Sequence, residues 1–280
     1  GLYWKAPSAG SQNVLARFGD AGKVAAECDV TVAVLGINKS IEREGQDRFS
    51  LELPVDQQEF IKELYKVNPN TVVVLVAGSS MAVNWMDENV PAILNAWYPG
   101  EQGGNAVAEV LFGDYNPGGR LPLTYYNSLD EIPAFDNYSV KGRTYQYFEG
   151  QPLYEFGYGL SYTTFSYSVP QSTQKEYTRQ ETISVSVTVT NTGDRDGEET
   201  VQLYVNDKVA SVVRPVKELK AFKKIFLKAG ESKTVQFDIS PLALGFYDAA
   251  MNYVVEPGEF EIMTGCNSND LQTISVKLIN

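Results

Sequence analysis

Histidine is absent from the 280-residue chain. Imidazole metal ligands, zinc motifs and Ser-His-Asp triads go with it, so any acid/base chemistry must run on carboxylates, lysine or tyrosine. Cysteine is nearly absent too: Cys28 and Cys266 fall one in each half, which argues against a disulfide framework or a thiolate metal site and for free structural thiols. There is no run of about 18 apolar residues, so no membrane-spanning helix is expected. The opening Gly1-Leu2-Tyr3-Trp4-Lys5 lacks the basic-then-apolar pattern of an export signal. Clusters of Lys and Arg with interleaved aromatics are missing, and a formal net charge of -12 repels polyphosphate backbones. Neither nucleic acid nor a membrane is an expected partner.

What is present suits a soluble protein with sizeable cores. Hydrophobic residues at 43% and charged residues at 21% lie in the globular range, and the length accommodates two ordinary domains. The two halves have different periodicities. In the first, near-continuous apolar runs at Val30–Gly36, Thr71–Gly78 and Ala92–Trp97 suit strands buried on both faces. Between the first two, Pro54–Val67 places Phe60, Ile61, Leu64 and Tyr65 at helical spacing, and Asn105–Phe112 follows the third run as another helical stretch. A parallel α/β sheet with helices on both faces is predicted. From about Ser161 the period becomes two: Ile183, Val185, Val187 and Val189 alternate with Ser and Thr, and further short strands are expected at Thr200–Val205, Lys217–Leu227, Lys233–Ile239 and Gly258–Thr264. Such spacing predicts a β-sandwich. Tyr115–Gly159, rich in Pro, Gly, Asn and Tyr, reads as an ordered connection. The expected division is residues 1–125, a connection over 126–160, and 161–280.

Ligands of open parallel sheets bind at the carboxyl ends of the strands, here the loops after Gly36, Gly78 and Trp97. The first carries three carboxylates and three cations within Ile37–Arg48. A carboxyl group placed among like charges and shielded from water becomes a general acid. A solvated charged loop, shaped by an Asp47–Arg48 ion pair, fits the same residues. Gly103-Gly104 lacks the third glycine of a dinucleotide fingerprint and reads as close helix–sheet packing. Tyr145, Tyr147 and Phe148 suit either stacking on a sugar or packing in a core.

The string Glu42-Arg43-Glu44-Gly45-Gln46-Asp47-Arg48, followed by Leu51-Glu52-Leu53-Pro54 and Gln57, resembles the acid/base loop of family 3 glycoside hydrolases, the β-glucosidases and β-xylosidases. Gly100–Gly104, Leu111–Pro122, Phe156–Phe165, Asn191-Thr192-Gly193, Val201–Val205 and Arg214–Lys220 resemble further signatures of that family, in its order, and cover nearly the whole chain. The pattern around Lys141–Tyr145 looks more like the β-xylosidases. The resemblance implies an α/β domain that lends a glutamate acid/base, then a fibronectin type III-like domain. It also implies a partner outside these residues, an N-terminal (β/α)8 barrel carrying an aspartate nucleophile, together with the opening strands of the α/β domain. The implied substrate is a β-linked oligosaccharide, cleaved at a non-reducing-end xylosyl or glucosyl residue with retention. No cofactor is implied, the chain alone is expected to be inactive, and a secreted or periplasmic location is expected. By the family's pattern Glu44, just before Gly45, is the acid/base. Glu42 is its rival, because two residues along an extended loop restores the same side-chain direction, while Gly45, Asp47 and Arg48 are expected to shape the loop. A noncatalytic carbohydrate-binding or scaffolding module is the alternative, and a nucleotide-binding protein is disfavoured by the lack of a phosphate loop.

Overall fold

The computed structural model describes residues 11–280, with side chains from residue 18 onward. Contacts divide the chain into two compact units. One runs to Val107 and takes in Tyr126–Glu131; the other comprises Ala108–Tyr125 and Ile132–Asn280.

The first unit follows α1 (Ser11–Ala26), β1 (Thr31–Gly36), α2 (Val55–Val67), β2 (Thr71–Val76), α3 (Asn84–Asn89), β3 (Ala92–Asn95) and α4 (Gly103–Phe112), whose last turns belong to the second unit. The strands form one parallel sheet in the order β1-β2-β3, with Thr31 opposite Thr71 and Gly36 opposite Val76. Central β2 meets the expectation of a strand buried on both faces: Val73, Val74 and Leu75 are at most 1% exposed. Edge strand β1 does not. Ala33 and Leu35 are buried, but Val32 and Val34 on the other face are 45% and 65% exposed, so among the described residues that face of β1 is left uncovered. Helix α2 begins directly after Pro54, whose carbonyl accepts the amides of Gln57 and Gln58, and buries Ile61 and Leu64. At its end Asn68 donates to the carbonyls of Ala25 (3.0 Å) and Cys28 (2.8 Å), tying α2 to the end of α1. No helix among the described residues is long and apolar enough to cross a membrane.

In the second unit the strands are β4 (Phe165–Tyr167), β5 (Gln171–Ser172), β6 (Glu176–Thr178), β7 (Ile183–Asn191), β8 (Gly197–Asp207), β9 (Glu218–Leu227), β10 (Ser232–Ile239), β11 (Phe246–Tyr247), β12 (Tyr253–Val254), β13 (Gly258–Gly265) and β14 (Leu271–Ile279). One sheet has the order β10-β7-β4, with β5 also on β7, a second the order β6-β14-β13-β8-β9, and β11 and β12 pair with each other. The period-two pattern of β7 is realised without exception, every second side chain from Ile183 to Asn191 being buried. Val185, Val187 and Val189 pack with Leu203, Phe237, Phe260 and Ile262 in one core. Tyr145 stacks on Phe156 (4.1 Å between centroids), meets Tyr204 edge-on, and its hydroxyl accepts the Leu219 amide. Those contacts make it a packing residue of this unit.

Candidate functional site

The site is built at the carboxyl end of β1. Gly36 closes the strand where only a glycine fits, since a Cβ would run into the Val76 carbonyl. Its peptide is clamped by Gln57 of α2, whose amide accepts the Gly36 N–H and donates to the Gly36 carbonyl, both at 2.8 Å. The loop that follows opens on a tight turn in which the Asn38 carbonyl accepts the amides of Ile41 and Glu42, and its side-chain oxygen accepts from Ser40.

Next the chain reverses. Arg43 and Gln46 exchange both backbone hydrogen bonds, at 3.1 and 2.9 Å, leaving Glu44 and Gly45 as the two tip residues. Gly45 has φ 71°, the left-handed conformation that the third position of such a turn demands and glycine supplies without strain. Glu44 is exposed, and among the described residues it has no hydrogen-bond or ion-pair partner. Glu42 differs on each count. It is half-buried, ion-paired with Nε of Arg48, and accepts the Ser79 hydroxyl at 2.7 Å. Arg48, its side chain only 9% exposed, also donates to Ser79 Oγ (3.0 Å), the Ser80 carbonyl (2.8 Å), Met81 Sδ (3.0 Å) and the Leu51 carbonyl (3.4 Å).

Among the candidates from sequence, then, Glu42 and Arg48 come together, Gly45 makes the turn, and Glu44 stands at its apex. Asp47 is exposed and forms no ion pair with Arg48, whose guanidinium is taken by Glu42. Ser79 and Met81 escaped sequence reasoning because they lie on the loop after β2 and no local pattern marks them. The one available signal was that this loop leaves the same end of the adjacent parallel strand. Chemically, the arrangement offers one carboxylate neutralised within the fold and one open to whatever approaches the tip. No three His, Cys, Asp or Glu side chains gather as a metal site among the described residues.

Residues 4–162 match the glycosyl hydrolase family 3 C-terminal domain, and residues 199–268 match the fibronectin type III-like domain. The chain belongs to glycoside hydrolase family 3. It is 39% identical to a periplasmic β-glucosidase of Salmonella typhimurium across 99% of this chain and 38% of that protein. With a xylan 1,4-β-xylosidase of Xylanibacter ruminicola it shares 42% identity across 84% of this chain and 27% of that one. A β-glucosidase structure from Erythrobacter marinus superposes with a TM-score of 0.87 at 40% identity, covering 98% of this chain and 37% of its own. A family 3 β-glucosidase from Bifidobacterium adolescentis gives 0.84 at 35%, covering 93% and 40%. The chain thus spans at most about two fifths of these family 3 proteins. The expected order of a parallel α/β sheet followed by a fibronectin type III-like sandwich is the family's order here.

Proposed function

We propose that this chain is the acid/base-bearing C-terminal portion of a retaining, exo-acting β-glycosidase that removes non-reducing-end β-D-xylosyl or β-D-glucosyl residues from oligosaccharides, with Glu44 as the general acid/base. The observation that carries the reading is the contrast between the two glutamates: the Glu42 carboxylate is held by Arg48 and Ser79, whereas Glu44 at the tip of a turn has no partner among the described residues. A proton donor must reach the glycosidic oxygen, and an open apex allows that while an internal ion pair does not. In such a mechanism Glu44 protonates the departing sugar oxygen, then, as a carboxylate, takes a proton from the water that releases the second sugar. Retention also requires a nucleophilic carboxylate about 5–5.5 Å from the acid/base. An N-terminal (β/α)8 barrel, as domain or separate chain, supplies it in this reading, and the 280-residue chain alone is inactive. A secreted or periplasmic location is supported by the name of the Salmonella relative.

The test is made in a barrel-bearing form of the protein. Glu44→Ala should lower hydrolysis of an unactivated disaccharide by about 10²–10⁴, spare glycosylation from an aryl glycoside with an acidic phenol, and leave a slow second step that azide accelerates. Glu42→Ala should depress both substrates by similar, smaller factors. Azide rescue in Glu42→Ala and not in Glu44→Ala would move the acid/base by two positions; rescue in neither would remove it from this loop.

A further inference from the structure

We infer that Ser79, on the loop after β2, is a positioning residue for the acid/base turn: its hydroxyl closes a Glu42–Arg48–Ser79 anchor that fixes where the apex carboxylate stands. The inference deepens the reading of Glu44 above and rests on it. A serine hydroxyl has one proton to donate and lone pairs to accept with. Here it donates to Glu42 Oε2 at 2.7 Å and accepts from an Arg48 Nη at 3.0 Å, touching both members of the ion pair.

The pair brackets the turn, with Glu42 just before Arg43 and Arg48 two residues after Gln46. Holding these two side chains to one point on a neighbouring loop therefore holds both legs of the turn. That neighbouring loop is itself fixed, because β1 and β2 run in register to Gly36 and Val76 and the Ala82 amide bonds back to the Leu51 carbonyl at 2.8 Å. Ser79 thus couples the turn to the sheet. Without it, Arg48 retains its carbonyl partners, but the half-buried Glu42 carboxylate loses its neutral donor, and the leg that ends two residues before Glu44 loses its tie to the β2 loop. A misplacement of about 1 Å at a reacting group costs on the order of 10²-fold in rate, so an anchor this close to the apex bears on catalysis without touching substrate.

The experiment has two arms. In the 280-residue chain, amide hydrogen exchange is read at Arg43 and Gln46, whose N–H groups close the turn, with Val73–Leu75 of β2 as reference. Ser79→Ala should speed exchange at Arg43 and Gln46 about fivefold, the low end of the effect of an unsatisfied buried partner, with the β2 amides unchanged. Ser79→Thr, which keeps the hydroxyl, should restore protection. In the barrel-bearing enzyme, Ser79→Ala should lower kcat about tenfold at unchanged KM on both an unactivated disaccharide and an activated aryl glycoside, because Glu44 serves the first step as acid and the second as base, and recover with Thr. Unchanged exchange at Arg43 and Gln46 overturns the anchor itself. Faster exchange with kcat unchanged on both substrates keeps the anchor but overturns its positioning role; failure of the Glu44 reading is read separately, from Glu44→Ala with azide.

Discussion

Glu199 lies in β8 on the inward-facing row shared with Val201, Leu203 and Val205, at 1% side-chain exposure, and is ion-paired with Arg120, itself 8% exposed. Tyr167 donates to its other oxygen at 2.6 Å. A carboxylate in that row is tolerable only while a cation neutralises it. Arg120→Met leaves a buried charge with one neutral donor, and breaking a buried pair in this way costs about 3–5 kcal/mol. In a unit of this size each kcal/mol moves the midpoint by about 2–4 °C, so the sandwich transition should fall by roughly 6–20 °C in calorimetry. The double substitution Arg120→Met with Glu199→Leu removes both charges and should be less destabilising than Arg120→Met alone, since apolar replacement of a buried pair is often neutral. A loss below about 1 kcal/mol for Arg120→Met, or a double variant that loses the sum of the two singles, would refute the reasoning.

Two further outcomes are expected. Burial pushes the Cys266 thiol up from 9.0 to about 12, and burial likewise raises Tyr167, Tyr204 and Tyr145 from 10.0; the folded state therefore keeps protons that the unfolded chain releases, their stabilisation is intact below about pH 9 and declines as pH rises toward about 12, and urea midpoints of the sandwich transition should stay level up to about pH 9 and fall steadily from there to about pH 11. Phe237, 2% exposed and opposite Val185 in the core, should cost about 3–5 kcal/mol when replaced by Ala, measured by urea unfolding against Phe222→Ala, whose 64%-exposed ring should cost far less.

The legible parts of the fold are those where one local period decides. Ile183–Asn191 faces a core on one side and alternates without a break, and β2 is apolar from Val72 to Val76 because a parallel sheet's central strand is covered on both faces. The similar look of Val30–Gly36 misleads, since an apolar run reports composition and not whether each face is covered. Helices α1 and α3 and strand β14 drew no prediction. In β14 only Val276 and Leu278 are buried, so its inward pattern starts late. Nor does sequence announce pairings between remote residues: Arg120 and Glu199 are 79 positions apart, and Glu199 reads as a solvated charge until Arg120 is placed over it.

The loop after β1 shows the same limit at short range. Treating Ile37–Arg48 as extended makes Glu42 and Glu44 equivalent, because side chains two residues apart point the same way along a strand. The chain reverses between them instead. Gly45 at φ 71° turns it back so that Arg43 pairs with Gln46, putting Glu42 on a leg and Glu44 at the apex, and Arg48 arrives on the return leg to meet the glutamate on the other leg rather than the adjacent Asp47. Each residue has its reason once the turn exists. A rigid turn needs its legs cross-linked, an ion pair capped by a neighbouring hydroxyl does that, and the glutamate so used is neutralised within the fold. Were both glutamates free, the legs would lose their ion-pair cross-link and keep the Arg43–Gln46 backbone pair; were both paired, no carboxylate would stand open at the tip. If Glu44 has the role proposed for it, dividing the two roles between residues two positions apart sets the proton-exchanging carboxylate on a cross-linked turn, the pre-organisation that general acid/base catalysis draws on.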